Sequence, residues 1–303
     1  ISDNTRSKHL VLNFENATWQ GPMNDHIINS VLISKTLALS LIFKNCIFLN
    51  AHFIISVKYY HIVLQDIEVN GILIKFQVKE TESWYTVNNI IHFENVMVRN
   101  VSQSDILKDE GGASLFEFTV RKAKVIIFEC TFIHSVRAFS ITVNSEYLAA
   151  STVLLDLLVS YSKFIQSTTK ADGGFFHIKI TGDMKILKHL KATFSSCLFR
   201  GGVTEMKGGS IYIEIPNAPN TGLTQTGTLL IQNCNFTNNI AGLSGGSLYI
   251  NGPVLSRIRH TMFLLSGNIT FRSQQNYFIY SKGWLILDTV HIICLSSVCN
   301  SVT

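Results

Sequence analysis

Apolar and polar residues recur along this chain in short blocks of fixed order. The clearest block is Leu229-Leu230-Ile231-Gln232-Asn233-Cys234-Asn235-Phe236-Thr237-Asn238. Leu41 to Asn50 repeats it as Leu-Ile-Phe-Lys-Asn-Cys-Ile-Phe-Leu-Asn. Ile126 to His134 reads Ile-Ile-Phe-Glu-Cys-Thr-Phe-Ile-His, and Thr193 to Gly201 reads Thr-Phe-Ser-Ser-Cys-Leu-Phe-Arg-Gly. The frame is an apolar residue, two polar residues, a small or apolar residue, any residue, an aromatic or apolar one, any residue, then a turn residue. Alternate side chains of a strand share a face, so each block predicts two short strands with inward side chains. Ile231 points inward, and so do Cys234 and Phe236. Their parity does not match, so a bend must fall between them, at Gln232-Asn233.

Nine occurrences fit the frame. Its fourth slot holds Ala17, Cys46, Ile67, Val96, Cys130, Ser162, Cys197, Cys234 and Val290. Two residues on come Trp19, Phe48, Val69, Val98, Phe132, Phe164, Phe199, Phe236 and Ile292. Three residues before the fourth slot come Phe14, Phe43, Leu64, Phe93, Ile127, Val159, Phe194, Ile231 and Leu287. The turn slot holds Gly21, Asn50, Gly71, Asn100, His134, Gln166, Gly201, Asn238 and Cys294. Polar pairs such as Glu15-Asn16, Lys44-Asn45, Gln65-Asp66 and Glu94-Asn95 mark the bends, where Asn, Asp and Ser suit turn backbones. Successive fourth slots lie 29, 21, 29, 34, 32, 35, 37 and 56 residues apart. The last gap predicts a tenth, degenerate copy, with Ile269 and Phe271 as its weak candidates.

A second motif follows at a fixed distance. Gly173-Gly174-Phe175-Phe176-His177-Ile178, Gly208-Gly209-Ser210-Ile211-Tyr212-Ile213 and Gly245-Gly246-Ser247-Leu248-Tyr249-Ile250 each begin 11 residues after a fourth slot. Gly111-Gly112-Ala113-Ser114-Leu115-Phe116 is a looser copy. Paired glycines permit close approach of neighbouring backbones before the next strand. A phosphate cradle would need Gly-x-Gly-x-x-Gly or Gly-Lys-Ser/Thr, and neither accompanies the pairs. Repeats of this length, each with several short strands, predict a β-solenoid of about ten coils. Segments such as Lys79 to Asn89 and Ile215 to Thr226 are expected to loop outside the stack. Both ends of such a stack are open sheet edges.

Asn-Cys-x-Phe followed by Gly-Gly-x-Ile/Leu-Tyr-Ile resembles the repeats of right-handed parallel β-helix proteins of the pectin-lyase-like superfamily. More narrowly, it is similar to the polymorphic outer-membrane-protein repeat and to its relatives in large invertebrate extracellular proteins. The likeness runs from about Phe14 to Ile292. It implies an all-β, right-handed parallel β-helix. For function it implies only a range: adhesins, secreted surface proteins and polysaccharide-cleaving enzymes.

Composition narrows the range. The 303 residues are 47% hydrophobic and 15% charged, with mean hydropathy +0.26, so a large core is implied. Proline is scarce, at 4 residues, and no linker divides the chain, which reads as one domain over 1–303. Ile27 to Phe43 is the most apolar stretch, but Asn29, Ser30, Ser34, Lys35 and Ser40 interrupt it, and strands are expected there rather than a membrane span. The chain opens at Ile1 without a signal-peptide pattern and reads as a processed product or part of a longer polypeptide. The net charge of +5 comes with only small basic clusters: Arg121, Lys122 and Lys124; Lys185, Lys188 and Lys191; Arg257 and Arg259. No basic stripe with interleaved aromatics points to nucleic acid.

Catalytic motifs are missing. Polygalacturonase-like enzymes need Asn-Thr-Asp, Asp-Asp and Gly-His-Gly segments, none of which occurs. Arg257-Ile258-Arg259 is similar to their Arg-Ile-Lys substrate clamp but lacks its carboxylate partners. Asp109-Glu110 is the single acidic doublet. A general acid/base pair across coils, for instance Glu94 with Glu129, stays open. His134 and His177 read as structural. There is no His-Glu-x-x-His, paired Cys-x-x-Cys or Gly-x-Ser-x-Gly. No catalytic residue, metal ligand or cofactor is assigned.

Cys46, Cys130, Cys197 and Cys234 share one inward column and read as small core thiols. Cys294 and Cys299 break the pattern and are expected to close a terminal disulfide. Four Asn-x-Ser/Thr sequons occur, at Asn16, Asn100, Asn235 and Asn268. The first two fall in bends and Asn235 points outward, which favours a glycosylated, secreted chain. The expectation is therefore an extracellular or cell-surface scaffold, non-catalytic, binding protein or carbohydrate on its outer faces or loops. Trp84, Tyr85, Tyr59 and Tyr60 are candidate sugar-stacking aromatics, or packing under loops. The alternatives are a polysaccharide lyase or hydrolase, and a filament subunit stacked end to end.

Overall fold

The computed structural model describes residues 9–20, 29–49, 52–70, 75–80, 89–101, 114–144, 153–181, 190–215, 227–265 and 279–294. Within them every regular element is a strand, and the strand pairing is parallel throughout. The arrangement is solenoid-like. Each strand pairs in register with the equivalent strand one repeat earlier and one repeat later, so three sheets run along the stack.

Sheet I is formed by residues 9–15, 38–44, 59–65, 89–94, 123–128, 155–160, 190–195, 227–232, 254–259 and 284–288. Sheet II continues each of these strands after one bend, from 18–20 to 290–294. Sheet III joins residues 29–34, 52–57, 75–80, 114–120, 137–144, 176–181, 211–214, 248–251 and 279–281. Sheet I thus counts ten coils among the described residues. The apolar stretch from Ile27 falls mostly in the strand Asn29–Lys44, and no helix is long and apolar enough to cross a membrane.

The tenth copy lies elsewhere than expected. Ile269 and Phe271 are outside the described residues. The coil sits at Ile258, Thr261 and Phe263, whose register partners are Ile231 and Leu287, Val290, and Phe236 and Ile292. Arg257-Ile258-Arg259 is thereby a piece of sheet I with Ile258 in the core. The copy was hidden because His260-Thr261 replaces the usual Asn-Cys pair.

The inward slots form continuous columns. In sheet II, Phe132, Phe164, Phe199, Phe236 and Phe263 stack with centroids 4.7–5.1 Å apart and rings within 10° of parallel. In sheet III, Phe139 stacks on Phe116 at 5.2 Å and on Phe176 at 5.1 Å. Phe48 also lies in the core. In-register parallel strands put identical side chains about 4.8 Å apart, which is ring-stacking distance.

The bend between sheets I and II is one residue in the left-handed conformation. Asn16, Asn45, Asp66, Asn95, Glu129, Tyr161, Ser196, Asn233, His260 and Thr289 all have φ between 48° and 55°. A second such column follows sheet II at Asn100, His134, Gln166, Gly201 and Asn238.

Cys46, Cys130, Cys197 and Cys234 are buried free thiols. They do more than fill space. Each donates to the carbonyl two residues back, across the bend: Cys46 to Lys44, Cys130 to Phe128, Cys197 to Ser195 and Cys234 to Gln232, at 3.2–3.3 Å. Ser162 and Thr261 do the same to Ser160 and Arg259. The same atoms also accept. Cys130 N–H donates to Ser162 Oγ, Cys197 N–H to Cys234 Sγ and Cys234 N–H to Thr261 Oγ1. Burial pushes the Cys130 thiol up to about 12, so it stays protonated and able to donate.

This relay predicts a contrast. Cys234→Ser keeps both bonds and should stay within about 1 kcal/mol of wild type. Cys234→Val keeps the bulk but strands the buried Cys197 N–H, the Gln232 carbonyl keeping its bond from the Ser196 N–H, and should lose roughly 1–3 kcal/mol. Chemical denaturation of the two variants checks it; a valine variant as stable as the serine one would leave the relay without energetic weight.

Candidate functional site

The outer face of sheet III carries the densest chemistry among the described residues. Each Gly-Gly pair forms a step leading into a sheet III strand. The first glycine of each pair, Gly173, Gly208 or Gly245, has φ of 67–76°. The second is fixed by the next coil: a Cβ on Gly174 would lie 1.9 Å from Gly209 O, and one on Gly209 equally close to Gly246 O. Steps can therefore nest directly, with Gly173 N–H on Lys207 O, Gly174 N–H on Gly208 O and Gly209 N–H on Gly245 O. Gly111 and Gly112 lie outside the described residues.

One coil before Gly174, counting back from the register pair Phe139 and Phe176, the equivalent position is Arg137. Its guanidinium is buried. Nε donates to Gly173 O at 3.1 Å and Nη1 to Ser114 Oγ at 3.4 Å, while Nη2 is buried without a partner. Burial lowers the group to about 10, with Asp172 and Glu117 opposing the shift, so it is charged at neutral pH. Asp172 accepts the Lys207 N–H at 3.0 Å. Burial raises its carboxyl, against the pull of the Lys207 N–H and of the Lys207 and Arg137 charges.

Three residues past each step's second glycine, one slot facing away from the inward column runs up the sheet as Gln77, Glu117, Ser140, His177, Tyr212, Tyr249 and Tyr280, with Tyr212 and Tyr249 only 4% and 5% exposed. Gln77 Nε2 donates to Glu117, and Ser140 Oγ lies 3.4 Å from His177 Nδ1. From His177 onward the slot is an aromatic ladder, with centroid spacings of 5.2, 5.2 and 4.6 Å and rings within 6° of parallel. Lys179 pairs with Glu214 at 3.2 Å beside it. Lys207 Nζ lies 4.9 Å from the Tyr249 centroid. Both faces of that ring are taken by Tyr212 and Tyr280, so the ammonium adds less than an open-face cation–π contact would. Burial, then the Asp172 and Glu214 carboxylates, raise the Tyr212 hydroxyl above its ordinary range. Burial, then the Arg137 and Lys179 charges, push His177 down to about 3.

The expected surface aromatics fare differently. Trp84 and Tyr85 lie outside the described residues, as does the side chain of Tyr59. Tyr60 is a core residue, 3% exposed. Glu94 stands on sheet I, 4.0 Å from His92, and Glu129 is exposed at the following coil's bend. Asn16, Asn100 and Asn235 are exposed; Asn268 and Cys299 lie outside the described residues, and of Cys294 only the backbone is described. No group of three or more His, Cys, Asp or Glu side chains among the described residues could hold a metal.

Fold and site together define a class: an all-β, solenoid-like stack of parallel strands with an aromatic and charged ladder on one outer face. Comparison with protein-family models, with curated proteins and with solved structures finds no match.

His177 gives a signed pH prediction. Its folded pKa is about 3 against an ordinary 6.5. Between those values the unfolded chain binds more protons, so stability falls as pH falls, by something on the order of 4 kcal/mol at the acid end. Asp172, whose carboxyl is raised, binds its proton better when folded and offsets part of the loss. The melting temperature of the wild type should drop more steeply from pH 7 to pH 4 than that of His177→Gln; equal slopes would remove His177 from the acid response.

Proposed function

We propose that the chain is a non-catalytic module of an extracellular or cell-surface protein, a right-handed parallel β-helix that presents its outer faces to a protein or carbohydrate partner. The observation that carries this reading is the placement of the sequons. Asn16 and Asn100 occupy exposed left-handed bends, each with φ 54°, and Asn235 projects from the outer face of sheet II. A glycan on any of the three meets solvent without disturbing an inward column. At Asn16 the carboxamide oxygen accepts from Asn45 Nδ2, which leaves its own nitrogen, the atom a glycan would use, outside that bond. The second support is the investment of patterned residues in packing, which makes a stiff spacer with long flat faces. The stacked rings of Tyr212 and Tyr249 are only 4% and 5% exposed, so the sheet III ladder offers a partner no open ring face for sugar stacking.

Secretion of the chain from a eukaryotic host, with intact mass before and after an amide-cleaving glycosidase, tests the reading. A mass loss with Asn→Asp conversion at positions 16, 100 or 235 is expected. An unchanged mass would take away its main support.

The second reading, a polysaccharide lyase or hydrolase, draws on the gathering of Asp172, Arg137, Lys207, His177 and Tyr212, since perturbed ionisable groups collect at functional sites. It requires that the chain release oligosaccharides from an acidic polysaccharide and that Tyr212→Phe abolish the release.

A further inference from the structure

Arg137 stands where the next three coils carry the second glycine of their step. Counting back along the register from Phe176, Ile211 and Leu248, its equivalents are Gly174, Gly209 and Gly246. Its side chain is 2% exposed. Nε donates to Gly173 O in the coil above and Nη1 to Ser114 Oγ in the coil below. Nη2 is out of reach of solvent and has no hydrogen-bond partner. The ion pairs between described residues lie elsewhere, at Lys179 with Glu214, Lys191 with Asp156 and His92 with Glu94. Asp172 and Glu117 act on the guanidinium only as charges at a distance. A buried charge is ordinarily paired and fully hydrogen-bonded; Arg137 is neither.

Ser135, two residues earlier in the same coil, is a second donor without a partner. Its side chain is 5% exposed, and its Oγ is buried and unbonded. In the next coil its register partner Ser167 uses the same hydroxyl to bond Gly174 O, and Gly174 is the equivalent of Arg137. Ser135 thus holds, relative to Arg137, the place from which Ser167 reaches Gly174.

We propose that Arg137 Nη2 and the Ser135 hydroxyl hold a small monovalent anion, of the size and charge of chloride, inside the stack. The corner supplies what such an ion needs: hydrogen-bond donors and a positive charge, shielded from water where electrostatic attraction is strong. Burial lowers the guanidinium only to about 10, so it is a cation at neutral pH. The same donors repel a metal cation, and a water molecule would leave the charge uncompensated. Such an ion belongs to the stack itself and depends on neither reading of the outer face.

Urea unfolding of the 303-residue chain at constant ionic strength, with sodium chloride exchanged for sodium gluconate, reads the site, because gluconate is too large for an enclosed position. An ion that binds only the folded chain lowers the unfolding constant about tenfold for each tenfold rise in its concentration once the site is filled. The wild type should show that dependence on chloride. Arg137→Gly, which gives the coil the residue of its three successors, should unfold alike in both salts. Ser135→Ala keeps the charge and loses one donor, and should need about tenfold more chloride for the same stabilisation, the weight of a hydrogen bond to a charged group. Crystals grown in bromide should show an anomalous peak beside Nη2. A wild type indifferent to chloride overturns the proposal. So does an equal chloride response in Arg137→Gly, an unshifted response in Ser135→Ala, or a bromide crystal without the peak.

Discussion

One residue per coil, held in the left-handed conformation between sheets I and II, is the constraint on which the molecule depends. For most residues but glycine, and less so for Asn and Asp, that conformation costs roughly 1–2 kcal/mol, and here ten non-glycine residues adopt it, Tyr161 and Thr289 among them. The bend also interrupts the strand ladder. Its backbone groups find partners only in neighbouring coils: Asn16 N–H on Lys44 O, Tyr161 N–H on Ser195 O, Asn233 N–H on Arg259 O, and, one step past the fourth slot, Lys163 N–H on Cys130 O. An isolated coil would carry the strain without these bonds. The bend is therefore stable only in a stack, and the stack is cooperative for that reason.

Fixing the bend at one position in every coil locks the phase of everything downstream. The step from the bend residue to the inward Phe slot is three residues in every copy, so Phe132 to Phe263 fall into one column without individual tuning. Variation enters between sheet II and sheet III, where the chain path changes length. Among the described residues the Gly-Gly steps nest in three successive coils, and Arg137 takes the second glycine's position one coil earlier. Where the glycine gives way, a buried guanidinium bonds both the coil below and the coil above, and the charged neighbourhood of Asp172, Lys207 and His177 follows from it. The chemistry of the outer face thus grows from an interruption of the repeat.

Most of the framework was legible because packing repeats itself in sequence. The three slots, the bend and the Gly-Gly step could all be read from residue spacing. The coil at Ile258 escaped because its bend is His260-Thr261, and the flanking arginines looked like chemistry when they are the solvent side of a strand. The cysteines were legible as core residues and not as hydrogen-bond donors, although Ser162 in the same column carried the hint: a hydroxyl in an inward slot needs a partner. Tyr212 and Tyr249 stood in plain view inside the Gly-Gly motif. Their stacking was not legible, since it requires the register between coils. Arg137 had no sequence signal at all, because its role is defined by a glycine 37 residues later.

The aromatic ladder illustrates how regular stacking limits what a surface can recognise. A sugar ring stacks on the open face of an aromatic side chain. In-register coils place each outward ring against the next, as at 4.6 Å between Tyr249 and Tyr280, and thereby consume those faces. The rings themselves are nearly covered, Tyr212 at 4% and Tyr249 at 5% exposed, and Lys179, Glu214 and Lys207 flank them. The regularity that makes the fold stable thus also withdraws its aromatic faces from recognition.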